Sequence, residues 1–201
     1  MFSEMMHKLW QNGILQTGIW ETIYMTLLST AIAYIIGLPM GVLLNITQAH
    51  GIWPNKWVNR VLGWIVNVGR SMPFIILMIA IMPFTKLVVG TKIGVPGAIV
   101  PLVVSAAPFI ARMVESSLKE VPAGVIEAAK AMGTPDFKII VKTLIPEAKP
   151  SLISGCTIAV TTILGYSAMA GAVGGGGLGQ LAITYGYYNT KYLVMWAAVI
   201  G

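Results

Sequence analysis

The chain has 201 residues, of which 56% are hydrophobic and only 10% are charged. Soluble domains carry about 25% charged residues. The few charges present here cannot cover a water-facing surface, so the composition indicates an integral membrane protein with one domain over residues 1–201. The net charge of +6 comes from basic residues scattered beside acids, which excludes a nucleic-acid interface and fits the basic bias of membrane loops.

Five membrane-spanning helices are predicted, because a span needs about 20 consecutive residues that are mostly apolar. Gly37, Pro39 and Gly41 lie late in the first span, where they allow close helix contact or a kink. The fifth span is cut off at Gly201 after about 15 Å of helix, which predicts a truncated C-terminus. The predicted fold is therefore an all-α polytopic membrane protein, with spans at about 22–44, 59–84, 95–116, 151–170 and, incomplete, 192–201.

Arg70 is the only charge deep in the second predicted span. A charged side chain at membrane depth usually faces the bundle interior or a water-filled cavity, whereas an Arg near a helix end can reach the headgroups. Residues 71–85 are too short for a span of their own, so we predict a helix that includes Arg70.

A glycine-rich segment follows the fourth predicted span. Residues 150–190 contain no Asp, Glu, Lys or Arg, and this stretch is too long for one helix. Gly174–Gly177 would break a helix that faces lipid. We therefore predict that the span ends near residue 170 and that an extracytoplasmic segment follows it.

The loop 117–150 contains a soluble-looking insert, whose residues 127–146 read EAAKAMGTPDFKIIVKTLIP. Pro122 is expected to open a first short helix, and Gly133 is expected to end it. Thr134 is a predicted N-cap for a second helix, with Pro135 at its first position. Pro146 is expected to end that second helix. An insert of this kind, between two spans, needs a partner outside the bilayer.

The distribution of basic residues predicts the orientation, because loops on the cytoplasmic side carry more Lys and Arg. An outside N-terminus places eight of them on the inner side and four on the outer side. The loop 117–150 then lies in the cytoplasm. The inner set is Lys56, Arg60, Arg112, Lys119, Lys130, Lys138, Lys142 and Lys149, and the outer set is Lys8, Lys86, Lys92 and Lys191.

The insert resembles the EAA loop of ABC-importer permeases, with Thr143 and Ile145 as mild departures from the family pattern. Three other motifs, RSMPF from Arg70, APFIARMVE from Ala107 and GYSAMAGAVGGGGLG from Gly165, are similar to the methionine-importer branch. The resemblance extends over nearly the whole chain. The residues that fall on the EAA pattern, or lie within it, and so imply contact with the ATPase are Glu127, Ala128, Ala129, Met132, Gly133 and Pro146.

The resemblance implies a permease subunit of an ATP-driven importer, most simply for methionine, in the inner or plasma membrane of a bacterium. It implies three partners besides the lipid bilayer: a second copy of the chain, two ATPase subunits, and an extracytoplasmic binding protein or lipoprotein. The candidates for the pathway or its gate are Arg70, Ser71, Pro73, Gly165, Tyr166, Ser167, Met169 and Gly171.

Catalytic, metal and cofactor sites are not predicted. Gly174, Gly176 and Gly179 match GxGxxG, but the βαβ unit that a dinucleotide site requires is missing. His7 and His50 are too far apart for a metal pair, and the sequence has no GxxxxGK[ST], so ATP hydrolysis is expected on another subunit.

Two alternatives remain open at the level of sequence. The same architecture could import another small solute, because substrate choice in the resembled family lies largely with the binding protein. A passive channel could use the glycine-rich segment as a filter, although a channel has no need for an ATPase-docking insert.

Overall fold

The computed structural model describes residues 13–188, together with 195 and 198, and every regular element within residues 13–188 is helical. The first half of the described chain contains α1 (Ile14–Ile46), α2 (Lys56–Ser71), α3 (Phe74–Ala80), α4 (Met82–Val89) and α5 (Gly94–Lys119). The second half contains α6 (Ala123–Ala131), α7 (Asp136–Ile139), a π-helical segment (Ile140–Leu144), α8 (Ile145–Glu147), α9 (Lys149–Ala170), a 3-10 turn (Gly171–Val173), α10 (Gly177–Gln180) and a second π-helical segment (Leu181–Tyr188).

Three helical stretches in the described part are long and apolar enough to cross a membrane: α1, α5 and Lys149–Val173. They contain the first, third and fourth predicted spans, and α1 extends the first by about two turns before residue 22. A fourth span is reached if α2 and α3 together make one broken crossing. The predicted fifth span, 192–201, lies outside the described residues apart from positions 195 and 198.

The predicted second span, 59–84, is not one helix. α2 ends at Ser71 and α3 begins at Phe74, with Pro73 as its N-cap at φ −58° and ψ 132°. Proline lacks the N–H that would continue the ladder and pushes the preceding residue out of helical geometry. A second break at Ile81, just before Pro83, separates α3 from α4. Arg70 therefore lies in the last turn of α2, at a helix end.

Two compact units divide the chain. The first contains the chain up to Ala31, residues 72–105 and the chain from Val160 onward, and the second contains residues 32–71 and 106–159. The prediction of one domain over residues 1–201 stays a prediction.

Glycines bring α1 and α5 close together in the second unit. A Cβ on Gly41 would lie 2.5 Å from the carbonyl oxygen of Ala111, and one on Gly37 would lie 2.9 Å from that of Ala107. Close contact through small residues is the usual way that helices associate in a membrane. The expectation of close packing at Gly37 and Gly41 is confirmed. Beside this crossing, Leu44, Val66 and Ala111 form a buried cluster with Met40 and Leu62 packed against it.

A coupling hairpin, a buried carboxylate and a glycine-rich turn

The insert folds into a helical hairpin (residues 122–147), hereafter the coupling hairpin after the ATPase contact that the resemblance predicts for it. Gly133 follows α6 with φ +73°, a conformation that glycine adopts without a Cβ clash. Its N–H donates to the carbonyl of Lys130 at 2.9 Å, and the N–H of Thr134 donates to that of Ala129 at 3.2 Å. This pair of bonds is a Schellman motif. The prediction that Gly133 ends the first helix is confirmed.

The three other predicted helix ends of the hairpin are wrong by small amounts. Pro122 and Pro135 are the N-caps of α6 and α7, with extended backbone, rather than the first helical residues. Thr134 consequently precedes the cap. Pro146 does not end the second helix, because it falls in the first turn of α8. The π-helical turn before it changes the hydrogen-bond register, which is a recognised way to accommodate a proline within a helix.

The coupling hairpin has a buried side and an apolar exposed side. Ala129, Ile139 and Leu144 are buried, while Met132 is 78% exposed and Phe137 is 75% exposed. Glu127, Ala128, Gly133 and Pro146 are also exposed. Large apolar side chains presented to water beside a polar rim are typical of an interaction site. Glu127 additionally lines a cavity with Asn45, Gln48, His50 and Lys130.

A buried carboxylate, Glu115 of α5, joins this helix to the segment just after α1 and, through Arg112, to α2. Its side chain is 4% exposed, and it forms ion pairs with Arg112 and with Lys119, the latter at 2.7 Å. The amide of Gln48, just after α1, donates to the same oxygen as Lys119 at 2.9 Å. Arg112 also donates to Asn67 Oδ1 of α2 at 2.6 Å. The sequence indicates only the local Arg112–Glu115 pair, because the spacing of three residues is visible and the partners on α1 and α2 are not.

Replacing Glu115 with alanine is expected to destabilise the folded subunit by about 2–4 kcal/mol. The loss leaves two cations and an amide without their shared acceptor, and truncating one member of a buried ion pair costs about 3–5 kcal/mol when all members are buried. Arg112 and Lys119 are 33% and 50% exposed, which places the expected cost toward the lower end. Thermal unfolding in detergent measures it, with Glu120→Ala as the exposed-acid control. An equal melting temperature for both variants would contradict the role of Glu115.

The predicted pathway residues differ in exposure. Arg70 and Ser71 of the second unit are exposed, and so are Pro73, Gly165 and Met169 of the first. Tyr166 stacks on Phe74 with ring centroids 4.8 Å apart. Ser167 is 2% exposed and donates to the carbonyl of Leu164 at 2.7 Å, so its hydroxyl is occupied within its own helix.

Gly171 lies in a tight glycine-rich turn rather than on an open surface. A Cβ on Gly171 would lie 2.2 Å from the backbone nitrogen of Gln180, and one on Gly179 would lie 2.3 Å from the carbonyl oxygen of Ala168. The two backbone segments can approach so closely only because both positions lack a side chain. Gly171 therefore has a packing role within its own unit.

Polar side chains of α1 hold the same glycine-rich turn. Glu21 Oε2 accepts from the N–H of Gly177 at 2.7 Å, and Thr22 Oγ1 accepts from that of Leu178 at 2.9 Å. Gln180 Oε1 accepts from the N–H of Gly176 at 2.8 Å. The first N–H groups of a helix need such acceptors. Sequence reasoning missed Glu21, and its position at the start of an otherwise uncharged span is the signal that could have found it.

The elements described so far define a polytopic membrane protein with an exposed helical hairpin between two spanning helices. Among the described residues, no cluster of His, Cys, Asp or Glu could hold a metal ion. Residues 37–201 match the family described as binding-protein-dependent transport system inner membrane component. The chain belongs to this family.

Two relatives of known name are close in sequence. The probable D-methionine transport system permease protein MetI of Vibrio cholerae serotype O1 is 49% identical over 189 residues, which cover 94% of this chain and 84% of that protein. The D-methionine transport system permease protein MetI of Escherichia coli K12 is 52% identical over 158 residues, which cover 79% of this chain and 73% of that protein.

Two solved structures share the fold. A chain of the MetNI methionine ABC transporter, solved in inward-facing conformations, has a TM-score of 0.89 and 51% identity, with 91% of this chain and 85% of that chain covered. A chain of an amino acid ABC transporter crystallised with histidines has a TM-score of 0.73 at 18% identity, with 96% and 90% covered. The second likeness concerns the fold alone.

Proposed function

We propose that this chain is the membrane-spanning permease subunit of an ATP-driven importer and that its solute is methionine. The observation that carries the proposal is the identity of about half of all residues to D-methionine permeases over nearly the whole chain, joined to the shared fold. The match also favours transport dependent on a binding protein over the passive channel. The proposed location is the bacterial inner membrane, with the N-terminus outside and the coupling hairpin in the cytoplasm.

The proposed assembly contains two copies of this chain around one pathway, two ATPase subunits, and an extracytoplasmic binding protein that delivers the solute. The sequence has no phosphate-binding motif of its own, so ATP is hydrolysed by the partner. The chain then acts only by changing conformation. Closure of the ATPase pair on ATP favours one of two arrangements of the spans, and the binding free energy of ATP is thereby coupled to access of the solute.

The coupling hairpin is the element that transmits this change. Its two short helices are fixed to each other by the Schellman motif at Gly133, and Ile139 and Leu144 within it are fully buried. The hairpin would therefore move as one rigid unit. Met132, Phe137 and Glu127 project from it and are the side chains that would contact the ATPase, with Ala128 and Gly133 leaving room for close approach.

Replacing Glu127 with alanine is expected to weaken association with the ATPase by about ten- to 150-fold, as the loss of one charge-assisted hydrogen bond of about 1.5–3 kcal/mol would. Co-purification of the complete chain with its ATPase in mild detergent measures association, and methionine uptake into proteoliposomes measures coupling. Glu120→Ala removes an exposed carboxylate just before the hairpin and is the control. Wild-type association and uptake in the Glu127 variant would refute the contact.

A further inference from the structure

The helix α2 has three chemically different faces, given that successive residues turn by about 100°. One face packs inward, because Val66 belongs to the buried cluster and a Cβ on Gly69 would lie 2.7 Å from Pro108. A second face is apolar and exposed, with Trp57, Val61, Trp64 and Ile65. The third face, hereafter the cationic face, carries Lys56, Arg60, Gly63, Asn67 and Arg70.

This helix runs alongside the spanning helices and does not lie flat at the membrane surface. At its beginning, Asn59 donates to the carbonyl of Leu44 near the end of α1 at 2.7 Å. At its end, Gly69 meets Pro108, which shares a turn of α5 with the Ala107 that contacts Gly37. Gly37 is about 14 Å before the end of α1. Arg70 therefore lies level with the interior of a spanning helix.

Exposed cations at this depth must face water or polar protein, because charged side chains are costly in hydrocarbon. The apolar face with its tryptophans already provides the surface that lipid requires. A second copy of the chain would bring the same cations, and α2 contains no acid that could offset them. Two such faces cannot pack dry against each other, so two copies that met at this face would be separated by water.

The polar side chains on this face can donate hydrogen bonds to an anion. Asn67 uses its side-chain oxygen to accept from Arg112 at 2.6 Å, which leaves the amide N–H₂ group as the free end. Between Arg60 and Arg70, a Cβ on Gly63 would meet nothing within 4 Å, so the face is open at its centre. Guanidinium groups bind carboxylates through two parallel bonds.

We propose that the cationic face of α2 lines the translocation pathway and that Arg60 and Arg70 each bind, in turn, the α-carboxylate of the amino acid in transit, with the Asn67 amide donating beside Arg70. The inference rests on the proposed function and adds to it the part of the solute that the spans recognise. Arg60 and Arg70 are ten residues apart, about 15 Å along the helix. They would be two successive binding sites along the pathway, which allows the solute to enter and to leave.

Water accessibility and local charge test the first half of the proposal in the assembled transporter, reconstituted with its ATPase and binding protein. Single cysteines replace Gly63 on the cationic face and Ile65 on the apolar face, in a chain whose own thiol is removed by Cys156→Ala. An anionic sulfonate and a cationic ammonium methanethiosulfonate reagent are compared. Gly63→Cys is expected to react, whereas Ile65→Cys is expected not to react. The preference of Gly63→Cys for the anionic reagent is expected to fall about tenfold when Arg60→Gln and Arg70→Gln are added.

Competition by the solute tests the proposed contact between its carboxylate and the arginines. Excess methionine is expected to slow labelling of Gly63→Cys, whereas methioninamide, which keeps the side chain and the ammonium group, is not. Equal effects of the two compounds would overturn the carboxylate contact, and labelling of Gly63→Cys no faster than that of Ile65→Cys would overturn the water-facing assignment.

Uptake by the wild-type chain in the same vesicles separates the two proposals. If the wild type accumulates no methionine, the proposed function fails, while the reagent preference still reports whether the face is cationic and wet. If the wild type transports, Arg70→Gln is expected to lower uptake at least tenfold, with partial recovery in Arg70→Lys and none of the loss in Lys86→Gln. Unchanged uptake in Arg70→Gln would overturn the inference alone.

Discussion

Replacing Gly171 with alanine is expected to destabilise the subunit by at least about 3 kcal/mol, at the upper end of the usual cost of overpacking. The added Cβ would lie 2.2 Å from the nitrogen of Gln180 and 2.3 Å from the carbonyl carbon of Gly179. Both are backbone atoms of the glycine-rich turn, so no side-chain rotation can relieve the overlap. The turn is also fixed to α1 by Glu21 and Thr22, which prevents it from moving away.

A matched control lies six residues earlier on the same polypeptide segment. Gly165 is exposed, and a Cβ there would meet nothing within 4 Å, so Gly165→Ala is expected to leave stability unchanged or to raise it slightly by improving helix propensity. Thermal unfolding and monodispersity of the detergent-purified chain compare the two variants. Equal melting temperatures would show that the turn is not packed as described.

The contrast between these two glycines shows what the sequence could and could not predict. Both belong to one glycine-rich motif, and the sequence makes both of them candidates for the pathway or its gate. The structure separates them, because the partner of Gly171 is a backbone eight and nine residues later, folded back after the turn. Local composition does not indicate which glycine faces another chain segment, because that contact depends on the path of the backbone through the turn.

The coupling hairpin was predictable in outline because its signals are local. A glycine after a run of good helix formers indicates a left-handed end, and Gly133 adopts φ +73°. The errors concern prolines. Pro122 and Pro135 each occupy the cap, one residue before the predicted position, and Pro146 is accommodated within the helical run after a π-helical turn. A proline restricts the backbone to a few conformations, but its presence in the sequence does not show which of them the chain adopts.

Acidic residues show the limit most clearly. Glu21 and Glu115 each accept hydrogen bonds from residues distant in the chain, Gly177 in the one case and Gln48 in the other. In a protein with few charges, an acid inside or beside a span must have a partner, but the sequence does not show which residue that partner is. The tertiary structure identifies the partners: Glu21 fixes the glycine-rich turn to α1, and Glu115 joins α5 to the segment just after α1.

Replacing both Met132 and Phe137 with serine is expected to reduce the affinity for the ATPase at least a hundredfold while the subunit keeps its stability. The two side chains are 78% and 75% exposed, so they contribute little to the packing of the chain itself. In a docked hairpin they would be the large apolar anchors, and truncating such anchors typically costs about 2 kcal/mol or more each. Burying them against the ATPase would also account for the apolar exposed surface, which is unfavourable in water.

The experiment measures equilibrium binding of the ATPase to the purified chain in detergent, alongside thermal unfolding of the chain alone. Lys138→Ser, at an exposed position next to Phe137, is the surface control and should bind nearly as the wild type does. Ile139→Ser, at a fully buried position, is the control for an unfolded hairpin and should lower the melting temperature. If the double variant binds like Lys138→Ser, the hairpin docks through other side chains. If it melts like Ile139→Ser, Met132 and Phe137 stabilise the fold of the chain itself, and the absence of a docking partner does not explain their exposure.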